Sequence, residues 1–255
     1  MNGLFSGGNS AIKDINILIP DGKILGHQSI NKHGLNSDID TGSVPEDITD
    51  IGGLYVPPTD DRIHQIASTS AQDAGTLVSI GIITTSSINN VIDSSATFIT
   101  DGVAVGDTVL NDSNQDHSVV VSIDSETQLT IERWHHSEED ITGDTYRIVN
   151  ASGTGMAVCH IKKGTKKNGT QLSEFVIMNG TTSVPTVNSF YRITRVHGHG
   201  NGSNKSNIGT ITITADTDAT VTAQINAGNS QTQMAFMDIP QGKRCGKASG
   251  KPYGS

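Results

Sequence analysis

Apolar residues along this chain recur mainly at every second position, in short runs closed by Gly, Asp, Asn and Ser, a pattern that predicts β-strands. Residues 208–215 show it most cleanly: IGTITITA places Ile211 and Ile213 on one face and Thr210, Thr212 and Thr214 on the other, as a half-buried strand requires. Comparable strands are expected at 76–84, 155–163, 172–178, 189–196, 220–226 and 233–239, with a weaker signal around Ile63 and Ile66. Between 85 and 148 the runs are shorter, at 96–99, 108–111, 118–124, 128–132 and 145–149, and turn signals such as DG, GD, DSN and TGD separate them. KKNG at 166–169 predicts a tight hairpin with positive φ at Asn168 and Gly169, and NG at 179–180 predicts a second. No stretch of about 12 residues sustains a helical period.

The fold class is therefore all-β. Strand 76–84 has no partner close by in sequence, whereas 157–161 becomes its natural neighbour once the short-strand region is removed. This predicts a small β-barrel or sandwich module, 85–148, inserted into an antiparallel β-sandwich host of jelly-roll type built from 59–84 and 149–240. Such an insertion costs little, since each doubling of a loop adds about 0.6 kcal/mol of closure entropy. Residues 1–58 read as an extended N-terminal arm, with one apolar run at 15–19 before Pro20, Asp21 and Gly22 and a stiffened exit at Pro57 and Pro58. Residues 241–255, basic and glycine-rich, read as a flexible tail.

Charge sharpens this picture. The net −9 conceals a division: residues 1–150 carry 6 Lys and Arg against 22 Asp and Glu, a balance of −16, while residues 151–255 carry 11 against 4, a balance of +7. Complementary halves favour head-to-tail contact between copies, with mere solvation of each half as the alternative. The acidic partner-binding candidates are Asp38, Asp40, Glu46, Asp47 and Asp50 in the polar stretch 31–55; the basic counter-surface is Lys162, Lys163, Lys166, Lys167, Arg192 and Arg195. Only Phe190 and Tyr191 stand near these cations as stacking groups, so no nucleic-acid partner is expected. No run of about 18 apolar residues suggests a membrane span, and the N-terminus lacks a signal-peptide core. Two cysteines, Cys159 and Cys245, define no disulfide framework and fit a reducing compartment.

Candidate chemistry is thin. Asp38 and Asp40 in DIDTG open like a calcium loop, but the twelfth position is Thr49, where an EF-hand needs a bidentate carboxylate. His197 and His199 in HGHG could share a zinc ion only with a third ligand that the sequence does not identify, and His135, His136, Glu138, Glu139 and Asp140 make a second cluster; flanking glycines place His199 in a loop after Val196. Cys159 precedes His160, yet neighbours on a strand face opposite ways, so Cys159 reads as a core residue. No GxSxG, P-loop, dinucleotide fingerprint or HExxH occurs, and aromatic residues make up only 4% of the chain. A sugar-stacking platform would have to rest on Tyr55, Trp134, Tyr146 or Tyr191. No catalytic residue, metal site or cofactor is assigned.

The order of several segments resembles a family of virion structural proteins of tailed bacteriophages, marine and cyanobacterial ones especially. The segments are NKHGLNSDIDTGSVPEDITDIGGLYVPPT and IASTSAQDAGT within 31–76, then LSEFVIMNGTTSVPTVNSFYRITRV and NIGTITITADTDATVTAQINAGNSQTQMAFMDIPQGK within 157–243. Separately, IDSSATFITDGVAVGDTVLN and IDSETQLTI resemble a small β module that recurs as an insertion in phage proteins. The resemblance implies a non-enzymatic particle component: a capsid decoration or cement protein, or else a tail-fibre or tail-tip protein that binds host glycan. It implies a homo-oligomer, a trimer being one form, in contact with the major capsid protein or other virion proteins, assembled in the host cytoplasm and located in the virion. Its relatives continue with further strands after the one at 233–239, so this chain is either a shortened version or takes its closing sheet from a neighbouring copy.

Overall fold

The structure, a computed structural model, describes residues 58–134, 140–216 and 219–232. The arm up to residue 57, the strand expected at 233–239 and the tail at 241–255 lie outside the described residues. Within them the chain is all-β, with every strand pairing antiparallel and a single four-residue helix.

Six strands form one sheet in the order β2-β7-β4-β5-β6-β3: β2 is Gly75–Ile82, β3 Asn90–Ile92, β4 Thr108–Asn111, β5 Asp116–Ser125, β6 Gln128–Ile131 and β7 Thr145–Ala151. Just beyond β2, Thr84 N donates to Ile92 O at 2.8 Å and Thr85 bridges Ile92, so the sheet curls until its two ends meet. Curling removes the unpaired edges that a flat sheet would leave. The interior is apolar and fully enclosed, with Ile83, Phe98, Val109, Leu129, Trp134, Tyr146 and Ile148 among its residues. Tyr146 Oη meets an acid at its margin, donating to Asp93 Oδ2 at 2.9 Å.

Two expectations are corrected here. Strand 76–84 takes β7 as its hydrogen-bonded partner, from Gly75↔Ala151 to Ile82↔Thr145, and not 157–161. The physical reason is that 157–161 belongs to a strand already paired on both sides, while the excursion 83–144 returns the chain directly beside Ile82. Residues 96–99 are also not a strand but lead into α1, Phe98–Asp101. Gly102 closes that turn with a left-handed φ of 83°, and the Glu126 carboxylate accepts the Ile99 and Thr100 amides at 2.9 and 3.1 Å. Phe98 is thereby driven into the core.

The remaining strands form two sheets. One has the order β10-β1-β12-β13, where β1 is His64–Ser68, β10 Val184–Pro185, β12 Ile211–Ala215 and β13 Val221–Ile225. The other is β11-β8-β9, where β8 is Met156–Thr165, β9 Gln171–Ile177 and β11 Arg192–Asn201. Strands β1 and β12 bury alternate residues, as their patterns predict. Strand β8 instead buries every residue from Met156 to Ile161, the behaviour of a central strand covered on both faces. One of those faces contributes Val158, with Ala157 beside it and Phe175 of β9, to a cluster shared with Leu110 of β4 and Val149 of β7. The β8–β9 hairpin forms at 166–169, but by a type I turn with only Gly169 in the left-handed region (φ 89°), closed by Lys166 N donating to Thr170 O. The turn at 179–180 makes no hairpin: it carries the chain from β9 to β10, in the other sheet.

Asp73 ties the ends of three strands together. Ser68 Oγ donates to its Oδ2 at 2.5 Å, and the amides of Met156, Ile208 and Gly209 donate at 2.9, 2.8 and 2.8 Å.

Candidate functional site

The acidic candidates Asp38, Asp40, Glu46, Asp47 and Asp50 lie outside the described residues, as do Tyr55, His135, His136, Glu138 and Glu139. The six basic candidates all fall at one end of the β8–β11 ladder. Arg192 pairs with Thr165 and Arg195 with Lys163, and the 166–169 turn places Lys166 and Lys167 next to them. A β-bulge explains the local crowding: against β9 the register runs from Ile161↔Glu174 to Gly164↔Leu172, one residue more on β8 than on its partner. Lys162 and Lys163 occupy that bulge and both are exposed, where regular alternation would have turned one inward.

The cations differ in how they are held. Lys167 N donates to Asp61 Oδ1 at 2.6 Å, while Lys167 Nζ lies 3.8 Å from Asp60 Oδ1; that exposed pair contributes at most about 1 kcal/mol. Arg192 lies over the Tyr191 ring, 5.5 Å from its centre. Arg195 points along the sheet, its Nε donating to His197 Nε2 at 2.7 Å and its guanidinium also reaching Gln231 Oε1 at 2.5 Å.

Arg195 leads into a second cluster. The strand β11 continues through HGHG, so His199 is part of a ladder and not of a loop, which corrects the expectation from its glycines. Alternation sets His197 and His199 on one face, and Gly198 between them leaves room for Met156: a Cβ there would stand 1.8 Å from Met156 Cε and force that side chain to move. His197 pairs with His160 of β8, His160 with Phe175 of β9, and His199 with Val158. From the curled sheet, His117 of β5 stacks on His199 with ring centres 3.8 Å apart. The His160 ring lies against Phe175 at 3.9 Å.

The hydrogen bonds fix the tautomers. Ser173 Oγ gives its only proton to Ile161 O at 2.8 Å, so it accepts from His160 Nε2 at 2.9 Å. In its neutral form His160 then carries its lone pair at Nδ1 and accepts from His199 Nε2 at 3.2 Å. Burial, then the positive charge of Lys162 and the neighbouring imidazoles, pushes His160 down to about 3. Burial, then His117, His160, His197 and Lys162, pushes His199 down to about 2. His197 is lowered as well, by burial and then by Arg195 and Lys162.

The other candidates are dispersed. Among the described residues no group of three His, Cys, Asp or Glu is arranged to hold a metal ion. Asp140 is exposed and accepts the Thr142 amide at 3.0 Å. Cys159, on the opposite face from His160, is buried, and burial pushes its thiol up to about 12, far from a nucleophile's range. Trp134 and Tyr146 are core residues, so neither offers a stacking face to a sugar. The sequence singled out His197 and His199 but not their partners His117, His160 and Phe175 as one group. Those residues lie on other strands, a placement that strand periodicity does not reveal. Comparison with family models, with curated proteins and with solved structures finds no match for this chain.

Proposed function

We propose that the protein is a non-enzymatic structural component of a bacteriophage virion, of the capsid-decorating or cement kind, which joins neighbouring subunits through its arm and its sheet edges. The observation that carries this reading is the convergence of Lys162, Lys163, Lys166, Lys167, Arg192 and Arg195 on one strand end, opposite in sign to the five carboxylates of the segment 31–55. Complementary patches of that size steer association and fix its register. Strand β2 supports the same reading, since it turns Leu77, Ile80 and Ile82 to the surface at 46%, 67% and 53% exposure. In this reading the region 85–148 is a module carried by a host sandwich, its strands sharing one sheet with β2 and β7, where the chain leaves and returns at the paired residues Ile82 and Thr145.

Replacing Asp38, Asp40, Glu46, Asp47 and Asp50 with lysine should weaken self-association in sedimentation velocity by at least about tenfold, while far-UV circular dichroism stays unchanged. Reversing Lys162, Lys163, Lys166 and Lys167 to glutamate in the same chain should restore part of it. Undiminished association of the first variant, or of the wild type in about 1 M salt, sinks the electrostatic contact. Binding to a bacterial polysaccharide array would favour the tail-tip reading instead.

A further inference from the structure

We propose that the histidine cluster is an acid-released latch between the curled six-stranded sheet and the three-stranded sheet beneath it. Its parts come from both bodies of strands: His117 from β5, and His160, His197 and His199 from β8 and β11. The apolar contact it guards is the cluster of Leu110, Val149, Ala157, Val158 and Phe175. At neutral pH the closed form is consistent throughout, because each imidazole needs only one proton and the chain Ser173–His160–His199 distributes them without conflict.

Acid breaks that consistency at an identifiable atom. A proton added to His160 Nδ1 would face the N–H of His199 Nε2 across 3.2 Å. A proton added to His199 instead creates a cation stacked 3.8 Å from His117 and placed near Lys162. The surrounding groups give little relief. From β11 comes Arg195, from β8 Lys162, and from β7 Arg147, whose charge is already committed to Asp112 at 2.6 Å and to Phe175 O at 3.2 Å. On β9, Ser173 and Phe175 face the cluster, while Glu174 points away and accepts the Val187 and Asn188 amides. Asp116 of β5 is the group that favours a charged His160, and it acts least among the causes at that ring. Protonation therefore selects the open form, in which the rings reach water.

The direction follows from linkage. His160, His197 and His199 have a lower proton affinity folded than free, so the closed form holds fully above about pH 6.5 and loses ground as pH falls below it. If opening admits two protons, the ratio of open to closed rises by up to about 100-fold per pH unit within that window.

Hydrogen exchange of the intact protein at pH 7, 5 and 4, corrected for the intrinsic rate, tests this. Amides of β5, β8 and β11 should lose protection by at least about tenfold between pH 7 and 5, while β1 and β12 keep theirs. His199→Phe, which keeps a stacked ring but takes no proton, should flatten the response. Should that variant fail to fold, imidazole carbon resonances of the wild type decide: His160 and His199 are expected to stay neutral in the closed form well below pH 6. Titration of both near pH 6.5 without added exchange overturns the latch, as does an equal loss of protection in every sheet.

Discussion

Asp73→Ala is expected to lower the melting temperature by roughly 10 °C, a cost of about 3–5 kcal/mol for a domain of this size. Asp73 is wholly buried and accepts four hydrogen bonds: from Ser68 Oγ, and from the amides of Met156, Ile208 and Gly209. Removing the carboxylate leaves those donors without an acceptor at the point where β1, β8 and β12 converge, and each buried orphan costs about 1–3 kcal/mol unless water reaches it. Asp73→Asn preserves shape but aims an NH2 group at amides that are themselves donors, so it should recover only part of the loss. Urea unfolding measures both variants. A cost under about 1 kcal/mol for Asp73→Ala would show that these strand ends are held by the apolar core alone.

Nothing in the sequence marked Asp73, and the reason is general. Alternation reads out what a strand does with its own two faces, which is why Ile211, Ile213 and Ala215 fell into place and why β1 and β12 were legible, whereas β8 and β9 were legible as apolar runs. It is silent about partners. Asp73 reaches residues far along the chain, and so does His160, whose significance depends on His199 and on the stacked His117. The partner of β2 was misassigned for the same cause: the 157–161 run was apolar because two other strands and a facing sheet cover it, not because an edge was waiting. Residues 96–99 failed differently. Four apolar-rich residues are too few to separate a strand from a helical turn, and the Glu126 carboxylate that favours the turn lies two strands further along the chain. The basic end was legible as composition, but the bulge that exposes Lys162 and Lys163 together was not.

Phe175→Ala should cost about 3–5 kcal/mol at pH 7, the usual range for a buried phenylalanine, and should also change how stability depends on pH. Phe175 is 3% exposed; it packs with Leu110, Val149 and Val158 while its ring covers that of His160. Truncation opens a void beside polar imidazoles, which water can enter because it finds partners there. Hydration weakens the burial that holds His160 and His199 low, so both should move toward the ordinary value near 6.5. The sign then follows. In the wild type a lowered folded-state value means that stability is complete above about pH 6.5 and is lost as pH falls toward the folded value, about 3 for His160. The variant, with less of a shift to lose, should fall less steeply. Its deficit is therefore largest at pH 7 and narrows by on the order of 1 kcal/mol by pH 4.5. Phe175→Leu, which keeps most of the volume, should cost under about 1.5 kcal/mol and retain the steep wild-type slope. Parallel pH profiles for wild type and Phe175→Ala in urea unfolding would show that the imidazoles are held neutral by something other than this cover.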